Sequence, residues 1–191
     1  HANMYCISLK TSHPIADVRL KAALNRWLPL SIAVLDCEEA DIDFHARYSC
    51  TSKEYIYKIW NTEVRNPFLD GYALHYRYKL DEQMLNSAAQ AYVGTHDFTS
   101  FCTLDSREKG DMTRTVKAFS VTREGNLVTM KVEADGFLYN MVRIMVGTLL
   151  RIQQGKIPVD GIAGIIEKKD RKFAGPTAQP CGLYLNRVNY D

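Results

Sequence analysis

Val116-Lys117-Ala118-Phe119-Ser120-Val121-Thr122-Arg123-Glu124-Gly125-Asn126-Leu127-Val128-Thr129-Met130-Lys131-Val132-Glu133-Ala134 reads as two strands around a turn. β-Branched and aromatic residues interleave with polar ones on both sides, and Glu124-Gly125-Asn126 contains the glycine a tight connection uses. The spacing predicts antiparallel strands over 116–123 and 127–134. Gly136 ends the pair, and the apolar run from Phe137 to Gln153 then has the length of a buried helix. Asn140 and Arg143 interrupt that run, and it is too short to span a bilayer. A hairpin that leads straight into a buried helix points to an α+β domain, a mainly antiparallel sheet flanked by helices.

Working outward, Lys53 to Asn61 puts Tyr55, Tyr57 and Ile59 on one face and Ile56, Lys58 and Trp60 on the other, a strand of period two. Asn66-Pro67 and Asp70-Gly71 punctuate a turn, after which Tyr72, Leu74, Tyr76 and Tyr78 alternate as a further strand. Asp81 is placed to cap a helix carrying Met84, Leu85, Ala88 and Tyr92, ended by Gly94. Thr95 to Asp111 has no period and reads as a long loop. Towards the start, Tyr5–Leu9 and Ile32–Leu35 read as short strands. Between them a helix opens at Pro14 and Asp17, carries Leu20, Leu24, Trp27 and Leu28, and stops at Pro29. Towards the end come a helix over 158–169 and a strand from Leu183 to Val188. No Gly-rich phosphate loop is present, which argues against a doubly wound nucleotide-binding fold.

The chain has 191 residues, 46% hydrophobic and 24% charged, enough for one large domain or two small ones and far from the signature of disorder. Its five cysteines form no C-x-x-C pair, so neither a disulfide framework nor a zinc site is indicated, and a reducing cytoplasm is the expected compartment. The five histidines have no ligand spacing, and no metal is expected. Net charge is only +2, so a polyanion has to be held by a local patch. His1-Ala2-Asn3-Met4-Tyr5 resembles neither a signal peptide nor a natural initiation, and the chain is expected to begin inside a longer sequence.

Arg143 is the sharpest anomaly, a guanidinium with apolar neighbours on nearly every side of its helix. Left unpaired in a dry interior it costs on the order of 3–5 kcal/mol, so a carboxylate or phosphate is expected to face it, and a structural ion pair or snorkelling to solvent competes with a functional role. Arg47, with Tyr55 and Tyr57 a few residues on, has the cation and the aromatic faces that hold phosphate and stack on RNA bases, although strand tyrosines also serve as ordinary packing. Asp97-Phe98-Thr99-Ser100-Phe101, followed by Arg107, Lys109, Arg114 and Lys117, reads either as a solvated loop or as a contact for a nucleic-acid backbone. Lys168-Lys169-Asp170-Arg171-Lys172 reads first as a solvated helix end and second as a phosphate contact.

One ordered set of motifs runs the length of the chain: Phe44-His45-Ala46-Arg47-Tyr48-Ser49, Lys53-Glu54-Tyr55-Ile56-Tyr57, Asp97-Phe98-Thr99-Ser100-Phe101, Gly136-Phe137-Leu138-Tyr139-Asn140-Met141-Val142-Arg143 and Gly182-Leu183-Tyr184-Leu185. Together they resemble the bacterial tRNA pseudouridine synthase A family. The resemblance implies isomerisation of uridine to pseudouridine in the anticodon stem-loop of tRNA, at family positions 38–40, by a homodimer without cofactor or metal. An Asp in the family pattern G-R-T-D-x-G-V-H-A is the nucleophile, acting on a uridine flipped out of its stack. By the same resemblance Tyr55 stacks on the target base and helps remove the C5 proton, and Arg143 pairs with the nucleophile. Arg47 contacts RNA beside the flipped nucleotide, Leu183 walls the uracil pocket, and Arg114 lines the tRNA path.

His1-Ala2 matches the last two letters of the nucleophile pattern, which sets the Asp just upstream of His1. The expectation is therefore a chain without its nucleophile and inactive alone. Residues 1–50 are the remainder of the N-terminal half, 51–191 are the C-terminal half, and a sheet edge is left unpaired. Arg143 is then expected to be unpaired, bound to an anion, or paired with a substitute carboxylate. A non-catalytic RNA-binding module and a purely structural dimerisation domain are the competing readings. Simple RNA binding gives no reason to bury Arg143, and a structural dimerisation domain implies no salt-dependent tRNA binding.

Overall fold

A computed structural model describes residues 1–12, 14–103 and 110–190. It divides into two compact units, Cys6–Ser49 and His1–Tyr5 with Cys50–Asp191.

In the smaller unit, helix α1 (Asp17–Trp27) carries Asp17 in its first turn and Arg26 in its last, each complementing the helix dipole. Neither predicted strand of this unit forms. Ile32–Leu35 is irregular because side chains of α1 take its backbone groups: Asn25 Nδ2 donates to the Val34 carbonyl at 2.9 Å, Asn25 Oδ1 accepts from Val34 N at 2.7 Å, and Lys21 Nζ donates to the Leu35 carbonyl. Tyr5–Leu9 alternates in sequence but finds no neighbouring strand among the described residues.

The larger unit is built on a six-stranded sheet made of β1 (Cys50–Trp60), β2 (Leu74–His75), β3 (Gly94–Asp97), β4 (Thr113–Glu124), β5 (Leu127–Ala134) and β6 (Leu183–Tyr190). β4 and β5 form the hairpin read from the sequence, closed by Gly125 at φ +56°. A bulge between Val116 and Ala118 changes the phase of β4, so Val116, Phe119 and Val121 all reach the core despite their uneven spacing. β1 pairs antiparallel with β5 along one edge. Its other edge is divided between β6, from Cys50 to Tyr57, and the short parallel strand β2, at Ile59 and Trp60. The sheet is thus mainly antiparallel and, with the three α-helices described in this unit, α+β. The outer edge of β6 is not left bare: Asn3 N donates to the Leu185 carbonyl, Leu185 N to the His1 carbonyl, and His1 N to the Leu183 carbonyl, so His1–Asn3 runs parallel along it.

Two further expectations need correction. The strand expected over Tyr72–Tyr78 shrinks to Leu74–His75, because Asn61 Nδ2 takes the Tyr76 and Tyr78 carbonyls at 2.8 and 2.7 Å and draws that backbone off the sheet. The loop expected from Thr95 contains β3 and a 3-10 turn, Thr99–Phe101. Gly94, His96 and Asp97 are weak strand formers, and pairing with β4 overrides that preference.

Helices α2 (Glu82–Ala89), α3 (Met141–Gln153) and α4 (Gly161–Lys168) complete the unit. Asp81 caps α2 through a hydrogen bond from Met84 N at 2.9 Å. Asp81→Ala is expected to cost about 1 kcal/mol in a denaturant titration. α3 begins at Met141 rather than Phe137, since Asn140 sits in the left-handed region at φ +62°. Ten of its thirteen residues are buried, leaving Arg143, Arg151 and Gln153. Among the described residues no helix is long and apolar enough to cross a membrane.

A strap around residues 175–178 crosses α3 in close contact. A Cβ on Gly147 falls 1.7 Å from the Pro176 carbonyl oxygen, and one on Gly175 falls 2.5 Å from backbone atoms of α3. Thr148 Oγ1 accepts from Gly175 N at 2.8 Å and fixes the crossing. Gly147→Ala has to push the strap away, and overpacking of this kind is expected to cost on the order of 3 kcal/mol. In a chain of this length that lowers the thermal midpoint by roughly 6–12 °C. A midpoint within 2 °C of the parent, roughly the effect of a surface change, would show that the strap is free to yield.

Candidate active site

Arg143 lies in the first turn of α3 and is only partly exposed. Its Nε donates to the Ala178 carbonyl at 2.7 Å and its Nη1 to Asn140 Oδ1 at 2.9 Å, while its own carbonyl accepts from Ala178 N at 3.0 Å. The left-handed turn at Asn140 is what brings that side chain back onto the helix, and Asn140 Nδ2 also reaches Thr103 Oγ1 at 3.2 Å. Among the described residues no carboxylate lies within 4 Å of the guanidinium, so the expected anionic partner is replaced by two neutral oxygens. They orient the guanidinium without neutralising it. Nη2 has no hydrogen-bond partner among the described residues and is not sealed from solvent.

The strap that holds Arg143 also holds Tyr57, whose hydroxyl donates to the Gln179 carbonyl at 2.6 Å. Tyr57 is fully buried on β1. Burial drives its phenol well above the usual range, the Cys181 thiol adds to this, and the Arg143 charge opposes it. Two residues back on β1, Tyr55 sets its ring edge-on to Phe137, with centroids 5.0 Å apart. Burial raises the Tyr55 phenol too, with a smaller contribution from Tyr5. Across the sheet, Leu183 pairs with Tyr57 and Leu185 with Tyr55. Tyr55, Leu183 and Arg143 are therefore joined through Tyr57 and the 178–182 strap. No Cβ fits on Gly182, where it would fall 2.6 Å from the Lys58 carbonyl and 2.8 Å from the Tyr57 ring.

Arg114 runs alongside Gly136, the residue before Phe137, and its Nη1 donates to the Asp111 and Thr113 carbonyls. Arg47 belongs to the smaller unit. There its backbone N donates to His45 Nδ1 at 3.1 Å and its guanidinium lies 5.7 Å from the centre of the Tyr48 ring.

Asp97-Phe98-Thr99-Ser100-Phe101 is neither a solvated loop nor a stacking surface, because Phe98 and Phe101 are fully buried. Ser100 Oγ donates to the Ile165 carbonyl and accepts from Asp170 N, tying the turn to α4. The Thr99 hydroxyl, followed by Lys169, holds the Asp97 carboxyl below its ordinary range. Lys169 is thus engaged at 2.9 Å, and Lys168 covers the Phe173 ring. Arg107 and Lys109 lie outside the described residues, and Lys117 Nζ reaches the Thr51 carbonyl at 3.5 Å.

Asn140, Ala178 and Gln179 were not nominated by sequence. An Asn directly ahead of a helix signals an N-cap, but Asn140 instead adopts a left-handed turn and makes no capping hydrogen bond, and backbone carbonyls leave no trace in side-chain chemistry. Among the described residues, no group of three or more His, Cys, Asp or Glu side chains is arranged to hold a metal ion.

A guanidinium oriented by neutral oxygens, on the same strap that holds the Tyr57 hydroxyl, suits a site that handles an anion and a planar ring. A family model described as tRNA pseudouridine synthase matches residues 88–191. The chain is 44% identical over 191 residues to the tRNA pseudouridine synthase A of Geobacillus sp. (strain WCH70), covering all of this chain and 77% of that protein. It is 42% identical to the enzymes of the same name from Geobacillus kaustophilus (strain HTA426) and Acetivibrio thermocellus, covering 74% and 78% of them. The chain belongs to the tRNA pseudouridine synthase A family.

Proposed function

We propose that this protein converts uridine to pseudouridine in the anticodon stem-loop of tRNA, as a cytoplasmic homodimer that needs neither cofactor nor metal. A carboxylate attacks the flipped uridine and the N1–C1′ bond breaks. The uracil then turns, C5 bonds to C1′, the carboxylate is released, and the C5 proton is lost while N1 gains one from solvent. Arg143 holds the attacking carboxylate ionised and in place, Tyr55 stacks on the uracil and relays the C5 proton, and Leu183 closes the pocket wall. Arg114 lies along the tRNA path, and Arg47 meets the RNA next to the flipped nucleotide. Residues 1–50 and 51–191 contribute to opposite halves of the catalytic fold.

Arg143 is the observation that carries this reading. Its two neutral partners fix its direction but leave its charge unmet, and a solvent-reached Nη2 remains for one more acceptor. We place that acceptor on the Asp of a G-R-T-D segment joined ahead of His1. The direction of His1–Asn3 supports this: running parallel to β6, the backbone ahead of His1 is aimed past Leu183 towards Pro180–Gly182, which follows two residues after the Ala178 carbonyl that takes Arg143.

Tritium release from tRNA labelled at uridine C5 tests the proposal, with residues 1–191 compared against a chain extended upstream through G-R-T-D. Release by the extended chain alone is expected. Release by residues 1–191 would place the nucleophile among them, and silence in both would favour an RNA-binding module.

A further inference from the structure

The segment between β1 and α2 carries large aromatic side chains in solvent on a backbone that is firmly held. Phe68 is 92% and Tyr78 65% exposed, and Arg77 stacks on Tyr78 with its guanidinium carbon 5.5 Å from the ring centre. Arg77 and Lys79 also line a cleft of about 510 Å³ that extends to Arg123. Exposed rings on a mobile loop would mean little, but here the support is a buried hub. Asn61 donates to the Tyr76 and Tyr78 carbonyls and accepts from Leu80 N at 3.1 Å and Arg123 Nη2 at 3.0 Å, using its amide fully. His75 Nε2 bonds the Thr62 carbonyl at 2.9 Å and ties the segment back to the end of β1.

We propose that Arg77, Tyr78 and Lys79 form a second RNA contact, separate from the candidate active site, in which an unpaired base of the tRNA stacks on Tyr78 while Arg77 and Lys79 hold the flanking phosphates. This rests on the reading of tRNA as substrate. Base stacking on an aromatic ring beside cations is the usual chemistry of unpaired RNA recognition. The charges also favour RNA over a second copy of this chain, since a twofold contact here sets Arg77 and Lys79 against their own kind. Glu82 does not cancel them, being committed to Arg123 at 2.8 Å. Glu63, also on the cleft, is the one carboxylate that would oppose a phosphate, and it places the phosphate on the Arg77 and Lys79 side.

The test is tRNA binding by residues 1–191 across a salt series, with Tyr78→Ala, Arg77→Glu and, as an equal charge change elsewhere, Lys156→Glu. Tyr78→Ala is expected to weaken binding roughly tenfold. Arg77→Glu is expected to do the same and to reduce the slope of log affinity against log salt by about 1, with Lys156→Glu near the parent and thermal midpoints unchanged. In the extended chain, Tyr78→Ala should raise KM and leave kcat alone. Equal losses in all three variants, parent-like binding by Tyr78→Ala, or losses that follow a sedimentation-measured loss of self-association would each overturn the proposal. The unmodified extended chain serves as the separate control: if it binds tRNA but releases no tritium, the catalytic reading fails while the contact stands.

Discussion

Replacing Arg143 by alanine in the extended chain is expected to slow pseudouridine formation by between roughly a hundredfold and a few thousandfold, with tRNA affinity nearly unchanged. The magnitude follows from the cost of stranding one member of a partly buried ion pair, about 3–5 kcal/mol, at 1.36 kcal/mol per decade of rate. The neutral oxygens of Ala178 and Asn140 cannot take over, because both are acceptors and neither supplies positive charge. Arg143→Lys should recover little, since an ammonium lacks the planar fork that reaches both oxygens and a carboxylate together. Single-turnover rates decide the matter, and an alanine variant within tenfold of the parent would remove Arg143 from the chemistry. Asn140→Ala is the sensitive companion, since it keeps the charge and frees its direction.

Tyr55→Phe is expected to lower turnover by roughly 10²–10⁴-fold, the usual range for losing a proton-transfer group, while binding holds. Phenylalanine keeps the edge-on contact with Phe137 and the ring face offered to the base, and only the hydroxyl is lost. Burial and the neighbouring Tyr5 raise the phenol above its ordinary value. At neutral pH fewer than about one molecule in a thousand therefore carries a phenolate there. In the proposed mechanism the hydroxyl therefore acts as a relay that accepts one proton as it passes on its own. Near-parental turnover in the phenylalanine variant, with tRNA saturating, would confine Tyr55 to stacking.

Strong local signals are legible in the amino-acid sequence. The β4–β5 hairpin, β1, the Asp81 cap and the C-terminal end of α3 all follow from periodicity and turn chemistry that act within a few residues. What could not be read was decided across the chain. Asn61 reaches over the Tyr72–Tyr78 alternation and stops it from becoming a strand, Asn25 does the same to Ile32–Leu35, and β4 recruits Gly94–Asp97 against its own propensity. At the site, the oddity of Arg143 was plain in sequence. Its partners were not, because one is a carbonyl of the distant strap and the other depends on a left-handed turn. The buried state of Phe98 and Phe101 was equally hidden, since a short aromatic-hydroxyl run looks the same whether it faces solvent or core.

The pairing of β1 with β6 has a temporal side. β4 and β5 meet across a two-residue turn and can form as soon as both exist, whereas Tyr55 and Leu185 meet only after more than a hundred intervening residues have been gathered in. Contacts of such long range close late, after local structure has reduced the search. On a ribosome the wall opposite Tyr55 is among the last parts of the described chain to emerge. Until then β1 offers a bare edge from Cys50 to Tyr57, and the nascent chain is most exposed to mispairing at the strand that carries Tyr55 and Tyr57.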